Sequence, residues 1–166
     1  CVSMKKIELE IIAISHSVTQ TQSYAVVLGE VNGSRRLPIV IGGFEAQAIA
    51  VALEKMNPSR PLTHDLMGLV FQGFGIELER VVITSLKNST FFARLILRQQ
   101  NELGTKLVEI DARPSDCLAL ASALKRPIFV TRSLFHDVED MSDHLAGANE
   151  QEDVGEEDSE EPGEQA

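Results

Sequence analysis

Ile110-Asp111-Ala112-Arg113-Pro114-Ser115-Asp116-Cys117-Leu118-Ala119-Leu120-Ala121 marks a strand turning into a helix. The run Lys106–Ile110 before it is strand-like. Beyond it, Cys117, Leu120, Ala121 and Leu124 recur at the spacing of one helix face. Pro114 suits the first helical turn, where a missing N–H costs little. Asp116 then falls where a helix dipole favours negative charge. Two carboxylates and a guanidinium, Asp111, Asp116 and Arg113, thus crowd one strand–helix junction. Either they complement the helix start, or they form a polar site at its mouth.

Working outward, the chain has 166 residues and a formal charge of −10. That charge is unevenly placed. Residues 139–166 hold 12 of the 25 acidic residues and no Lys or Arg, which leaves residues 1–138 at a formal +2. We therefore read three parts: an extension at 1–4, a folded domain at 5–138, and an acidic tail at 139–166 too poor in apolar residues to order itself. Two cysteines give neither a disulfide framework nor a metal cluster. No apolar run approaches the ~20 residues of a membrane span, and no signal peptide is visible, so the expected location is the cytoplasm.

In chain order, residues 5–14 alternate as a strand, with Ile7, Leu9, Ile11 and Ala13 inward. Tyr24–Val31 and Arg36–Ile41 form a hairpin around Asn32-Gly33, a type I′ signal. Pro38 places the second of these strands near an edge or a bulge. Gly42-Gly43 opens a helix over 44–56, whose inner face is Ile49, Ala52, Leu53 and Met56. Asn57–Pro61 breaks the chain. Thr63 is the expected N-cap of a helix over 64–72, with Leu66, Leu69 and Val70 turned inward. Strands follow at 76–86, 90–99 and 105–110, making a meander. The helix at 114–125, a short strand at 127–130 and a short helix at 131–140 complete the pattern. Residues 45–55 and 116–126 echo one another. Each segment follows a strand and opens with a carboxylate, Glu45 or Asp116, so the two carboxylates either face a common centre or merely share an amphipathic composition.

Three polar clusters sit at element starts: Gly42-Gly43-Phe44-Glu45, Thr63-His64-Asp65 and Asp111–Asp116. Helix N-termini attract anions, and carboxylates beside them oppose that unless a cation intervenes. Glu45, Asp65, Asp111 and Asp116 could supply hard oxygen ligands for Mg²⁺ or Mn²⁺. His64 suits general acid–base work, and Arg113 suits phosphate recognition. Each also has a plain structural role, in dipole complementation, ion pairing or hydrogen bonding. Gly42-Gly43 lacks the length and the Lys of a P-loop, and no nucleophile elbow or zinc spacing occurs. His16, His64-Asp65 and a later Asp follow the ligand order of the HD-type phosphohydrolases, but those are all-helical and this chain is rich in strands. Arg94 and Arg98 share a strand face near Arg80 and Lys87. With one Tyr and no Trp, nucleic acid would be held by its backbone, not by stacking.

Three motifs in order resemble the bifunctional nuclease domain family. They are Leu37–Gly42 with Glu45-Ala46 and Ala48–Ala50, then Arg60–Leu66, then Asp111–Asp116 with Ala119–Ala121, within residues 5–135. The resemblance implies a single α+β domain with a mixed, largely antiparallel sheet and two to four helices, in agreement with the elements above. It also implies DNase or RNase activity and assembly into dimers or larger homo-oligomers. The matching motif positions are Glu45, His64, Asp65, Arg113, Ser115 and Asp116. We expect His64, Asp65, Glu45, Arg113 and Asp116 to be catalytic, Arg113 and Ser115 to bind substrate, and Asp65, Asp111 and Asp116 to ligate a divalent metal, Mg or Mn. The expected reaction is hydrolysis of phosphodiester bonds in DNA or RNA without strong sequence preference. The alternative is a non-enzymatic module that binds a small anion or assembles into oligomers.

Overall fold

The computed structural model describes residues 5–16 and 23–138; the tail and the N-terminal extension lie outside them. Seven strands form one sheet: β1 (Lys6–His16), β2 (Ser23–Glu30), β3 (Arg36–Gly42), β4 (Ile76–Lys87), β5 (Thr90–Asn101), β6 (Gly104–Ala112) and β7 (Ile128–Thr131). Four helices complete the fold: α1 (Gly43–Leu53), α2 (Thr63–Gly73), α3 (Pro114–Leu124) and α4 (Arg132–Asp137). The spatial order is β3-β2-β1-β7-β4-β5-β6. Neighbours are antiparallel except β4 and β7, which are parallel. The domain is therefore α+β with a mixed, largely antiparallel sheet, as the resemblance implies.

The order contains a repeat. β1-β2-β3-α1 and β4-β5-β6-α3 are two meanders, each running outward to an edge and returning through a helix, with β7 between them. Residues 45–55 and 116–126, the echo in the sequence, are the two return helices. Pro38 lies on edge strand β3, where a missing N–H is tolerated.

Helix α3 is central. Five consecutive residues, Cys117–Ala121, are buried, so it is covered on every side. Leu78, Val81, Ile83, Ala93, Leu95 and Leu97 belong to the same core, as do Ala46 and Ile49 of α1. Gly68 lets α2 approach α3: a Cβ there would collide with a methyl of Leu124.

Five local expectations are corrected. Neither Asn32 nor Gly33 has a positive φ. Their loop is closed instead by Glu30, whose Oε1 accepts from Arg35 Nη2 at 2.6 Å and Nε at 3.0 Å. The type I′ geometry occurs at Asn88-Ser89, with φ of 51° and 62° between paired Lys87 and Thr90. In β1 the register shifts between Ile11 and Ala13. This bulge turns Ala13 outward and packs Ile14 against the core. The N-cap of α2 is Leu62, not Thr63. Finally, Leu66, Leu69 and Val70 do not face the core. They are 55%, 50% and 49% exposed, and α2 has no buried residue. Leu53 and Met56, at the end of α1 and just beyond, are likewise exposed. The apolar stripe of α2 is real, but the described residues do not cover it. Among the described residues no helix is long and apolar enough to cross a membrane.

Candidate functional site

The starts of α1 and α3 meet at Arg113. This residue is the N-cap of α3, with extended backbone before Pro114. Its Nε donates to Asp116 Oδ2 at 2.8 Å, and its Nη2 donates to Asp116 Oδ1 at 3.0 Å and to Glu45 Oε1 at 3.1 Å. The Asp116 pair is bidentate, the strongest geometry available to Arg and carboxylate. Asp116 first, and then Glu45, hold the guanidinium still more firmly protonated than usual. The side chain of Arg113 is 70% exposed, whereas that of Glu45 is 16% exposed. Gly42 helps to seat Glu45, because a Cβ at Gly42 would lie 2.8 Å from Glu45 Oε2. Both echoing carboxylates thus reach one cation. Ser115 sits half-buried in the same first turn of α3.

His64 and Asp65 lie elsewhere. They line a groove of about 900 Å³ walled by the outer half of α1, the 57–62 segment, α2 and the end of α3. Glu45, Arg113 and Asp116 are not among its walls, and the α3 residues that are begin at Ser122. Six residues of helix, ~9 Å, separate Asp116 from that point. The structure therefore joins Glu45, Arg113 and Asp116 and sets His64 with Asp65 apart from them. Among the described residues the imidazole of His64 has no hydrogen-bond or ion-pair partner. Asp65 Oδ2 accepts the backbone N–H of Leu62 at 3.1 Å, which satisfies an orphan donor at the start of α2.

The proposed metal ligands Asp65, Asp111 and Asp116 do not gather. Among the described residues no three of His, Cys, Asp and Glu are placed to hold a metal ion. Asp65 is engaged at the start of α2, and both oxygens of Asp116 face Arg113. Asp111 is exposed at the end of β6, paired in register with Arg94. Cys117 beside this corner is buried, and its thiol is pushed up to about 12, first by burial and then by Asp116 and Asp111. It is no nucleophile at neutral pH.

The arginines of β4 and β5 are neutralised. Arg94 meets Glu109 at 2.9 Å, Arg98 meets Glu77 at 2.7 Å and Arg80 meets Glu79 at 3.3 Å. These three arginines have little left with which to hold phosphates. The reading from sequence missed a different group of cations. Lys55, Arg60, Lys125 and Arg126 all line the groove beside His64. Their only signal in the sequence is position, just past two echoing helices and in the loop after the first.

Comparison with known proteins agrees with the motifs. The bifunctional nuclease domain model matches residues 26–142. The uncharacterized protein MT1877 of Mycobacterium tuberculosis (strain CDC 1551 / Oshkosh) is 36% identical over 126 residues, covering 75% of this chain and 73% of its own. The uncharacterized protein Rv1829 of Mycobacterium tuberculosis (strain ATCC 25618 / H37Rv) matches to the same extent. With a family match across most of its folded residues, the chain belongs to the bifunctional nuclease domain family.

Proposed function

We propose that the protein cleaves phosphodiester bonds in DNA or RNA without strong sequence preference, with His64 as the general acid–base residue. One observation carries this reading within the family. His64 has an uncommitted imidazole and stands in a groove of nucleotide size, and histidine is the side chain most used for such proton transfer. A His64 nitrogen would take the proton of the attacking hydroxyl or water, or return one to the leaving oxygen. Asp65 positions the residue by fixing the first turn of α2. Glu45, Arg113 and Asp116 clamp the starts of α1 and α3. Two carboxylates already balance the Arg113 guanidinium through Nε and Nη2, so we assign these three a positioning role.

The test is cleavage of labelled RNA and single-stranded DNA by purified protein in Mg²⁺, Mn²⁺ or EDTA. His64→Ala should lower the rate by ~10²–10⁴, and Asp116→Asn by less than tenfold. A His64→Ala protein that cleaves as fast as the parent overturns the assignment.

A second reading, self-association, is favoured by α2. Leu66, Met67, Val70 and Phe74 form an exposed stripe and none of them lines the groove. The stripe carries no charge, so a second copy would meet it without like-charge repulsion. We propose that two copies pair through this stripe and leave the grooves open.

A further inference from the structure

We propose that the groove beside His64 binds the phosphate backbone of a single nucleic-acid strand through Lys55, Arg60, Lys125 and Arg126. The inference rests on the nuclease reading for the identity of the polyanion and on the cations alone for the place.

Three separate segments bring these four cations to one groove: the end of α1, the loop after it, and the end of α3. None makes an ion pair with another described residue. Arg35, Arg80, Arg94, Arg98 and Arg113 each hold a carboxylate within 4 Å, and the other cations without an ion pair among the described residues, such as Arg36 and Arg132, do not line the groove. The two carboxylates in the groove wall are already committed. Asp65 accepts from the Leu62 N–H, and Glu77 is held by Arg98. Arg126 lies near enough to Glu77 to help lower its pKa, but Arg98 is the main cause. The groove therefore presents an excess of positive charge, although the described chain as a whole is nearly neutral.

The backbone adds an independent point. Lys55 and Lys125 both adopt the left-handed conformation, with φ of 53° and 56°. Glycine takes that conformation at helix ends at lower cost. A lysine at each of these two helix ends keeps a charge that the turn itself does not need. Complementing the helix dipole accounts for Lys55 and Lys125. It does not account for Arg60 in the loop or Arg126 beyond the helix.

Shape selects the class of ligand. A volume of about 900 Å³ admits a drug-sized group, hence a nucleotide or two of an unpaired strand and not a double helix. Met56, Leu62, Leu69 and Phe71 in the walls offer apolar surface to sugars and bases without reading their edges.

The experiment is fluorescence anisotropy with a labelled phosphorothioate oligothymidylate, full-length protein and EDTA, across a KCl series. Cleavage of unmodified RNA is followed in parallel. If all four cations meet phosphates, log Kd should change with log salt at a slope near 2.8, from ~0.7 per contact on a single strand. Lys125→Gln/Arg126→Gln should cut that slope by ~1.4 and weaken binding roughly tenfold at low salt. Arg94→Gln, an equal kind of charge loss on the paired sheet surface, should change neither. Groove variants that bind like the parent while cleavage persists overturn the groove and spare the nuclease reading. A parent that binds with the expected slope yet cleaves nothing supports the groove and overturns the nuclease reading. Inorganic polyphosphate that displaces the strand better than an equal concentration of nucleotide phosphate overturns the assignment to nucleic acid.

Discussion

Phe74→Gln tests the apolar stripe of α2. Phe74 is the C-cap of α2 and is 73% exposed. On a side chain of ~200 Å² that leaves ~150 Å² open to a partner. At ~25 cal/mol/Å² full cover would contribute close to 4 kcal/mol, and half cover about 2 kcal/mol. A symmetric pair buries two copies, so the substitution should weaken association by about 4 kcal/mol, close to three decades in Kd. Leu66, Met67 and Val70 are 55%, 40% and 49% exposed, and with Phe74 they offer roughly 400 Å² per copy. That is about half of a standard interface side. The pair should therefore be reversible and dilute apart in the micromolar range. Sedimentation velocity over a hundredfold range of concentration reads this directly. Thermal melting should move little, since an exposed side chain is being changed. A parent protein that stays monomeric throughout, or a Phe74→Gln protein that dimerises within tenfold of it, refutes the reasoning.

Three further outcomes are expected. Arg35 holds the Glu30 carboxyl below its usual range, chiefly through the side-chain hydrogen bond. The stabilisation this supplies is therefore present above the unfolded pKa of ~4.3 and is lost as pH falls through the lower folded value; Glu30→Gln should flatten the acid limb of urea stability between pH 5 and 3. Cys117, buried with its thiol raised to about 12, should resist alkylation at pH 7.5 in the folded protein and react once urea unfolds it, as read by peptide mass mapping. Ser89→Gly should stabilise the protein by ~1 kcal/mol, because Ser89 holds a φ of 62° that costs an L-residue about that much; a loss of stability in denaturant titration would contradict the type I′ assignment.

The legible parts of the chain were those fixed by local chemistry. Pro114 marked the start of α3. The match between Glu45 and Asp116 left open a shared centre or a shared composition, and both carboxylates prove to meet at Arg113. What failed depended on distant partners. Asn32-Gly33 has the composition of a tight turn, but the Glu30–Arg35 pair spans a longer loop around it. An apolar stripe such as Leu66, Val70 and Phe74 declares that a helix has a face, not which molecule covers it. The cations of the groove come from residues 55, 60, 125 and 126, and only folding shows that they share a wall. His64 and Asp116 could be placed together on paper because sequence carries no distance between the start of α2 and the start of α3.

The central claim is that His64 in its groove performs the chemistry, and the Arg113 clamp does not. The most direct measurement is the single-turnover rate of RNA cleavage by the parent, His64→Ala and Asp116→Asn, prepared identically and matched for folding by circular dichroism. A rate that falls by ~10² or more in His64→Ala and by less than tenfold in Asp116→Asn is the predicted result. Equal rates in the parent and His64→Ala, or a loss confined to Asp116→Asn, would contradict it.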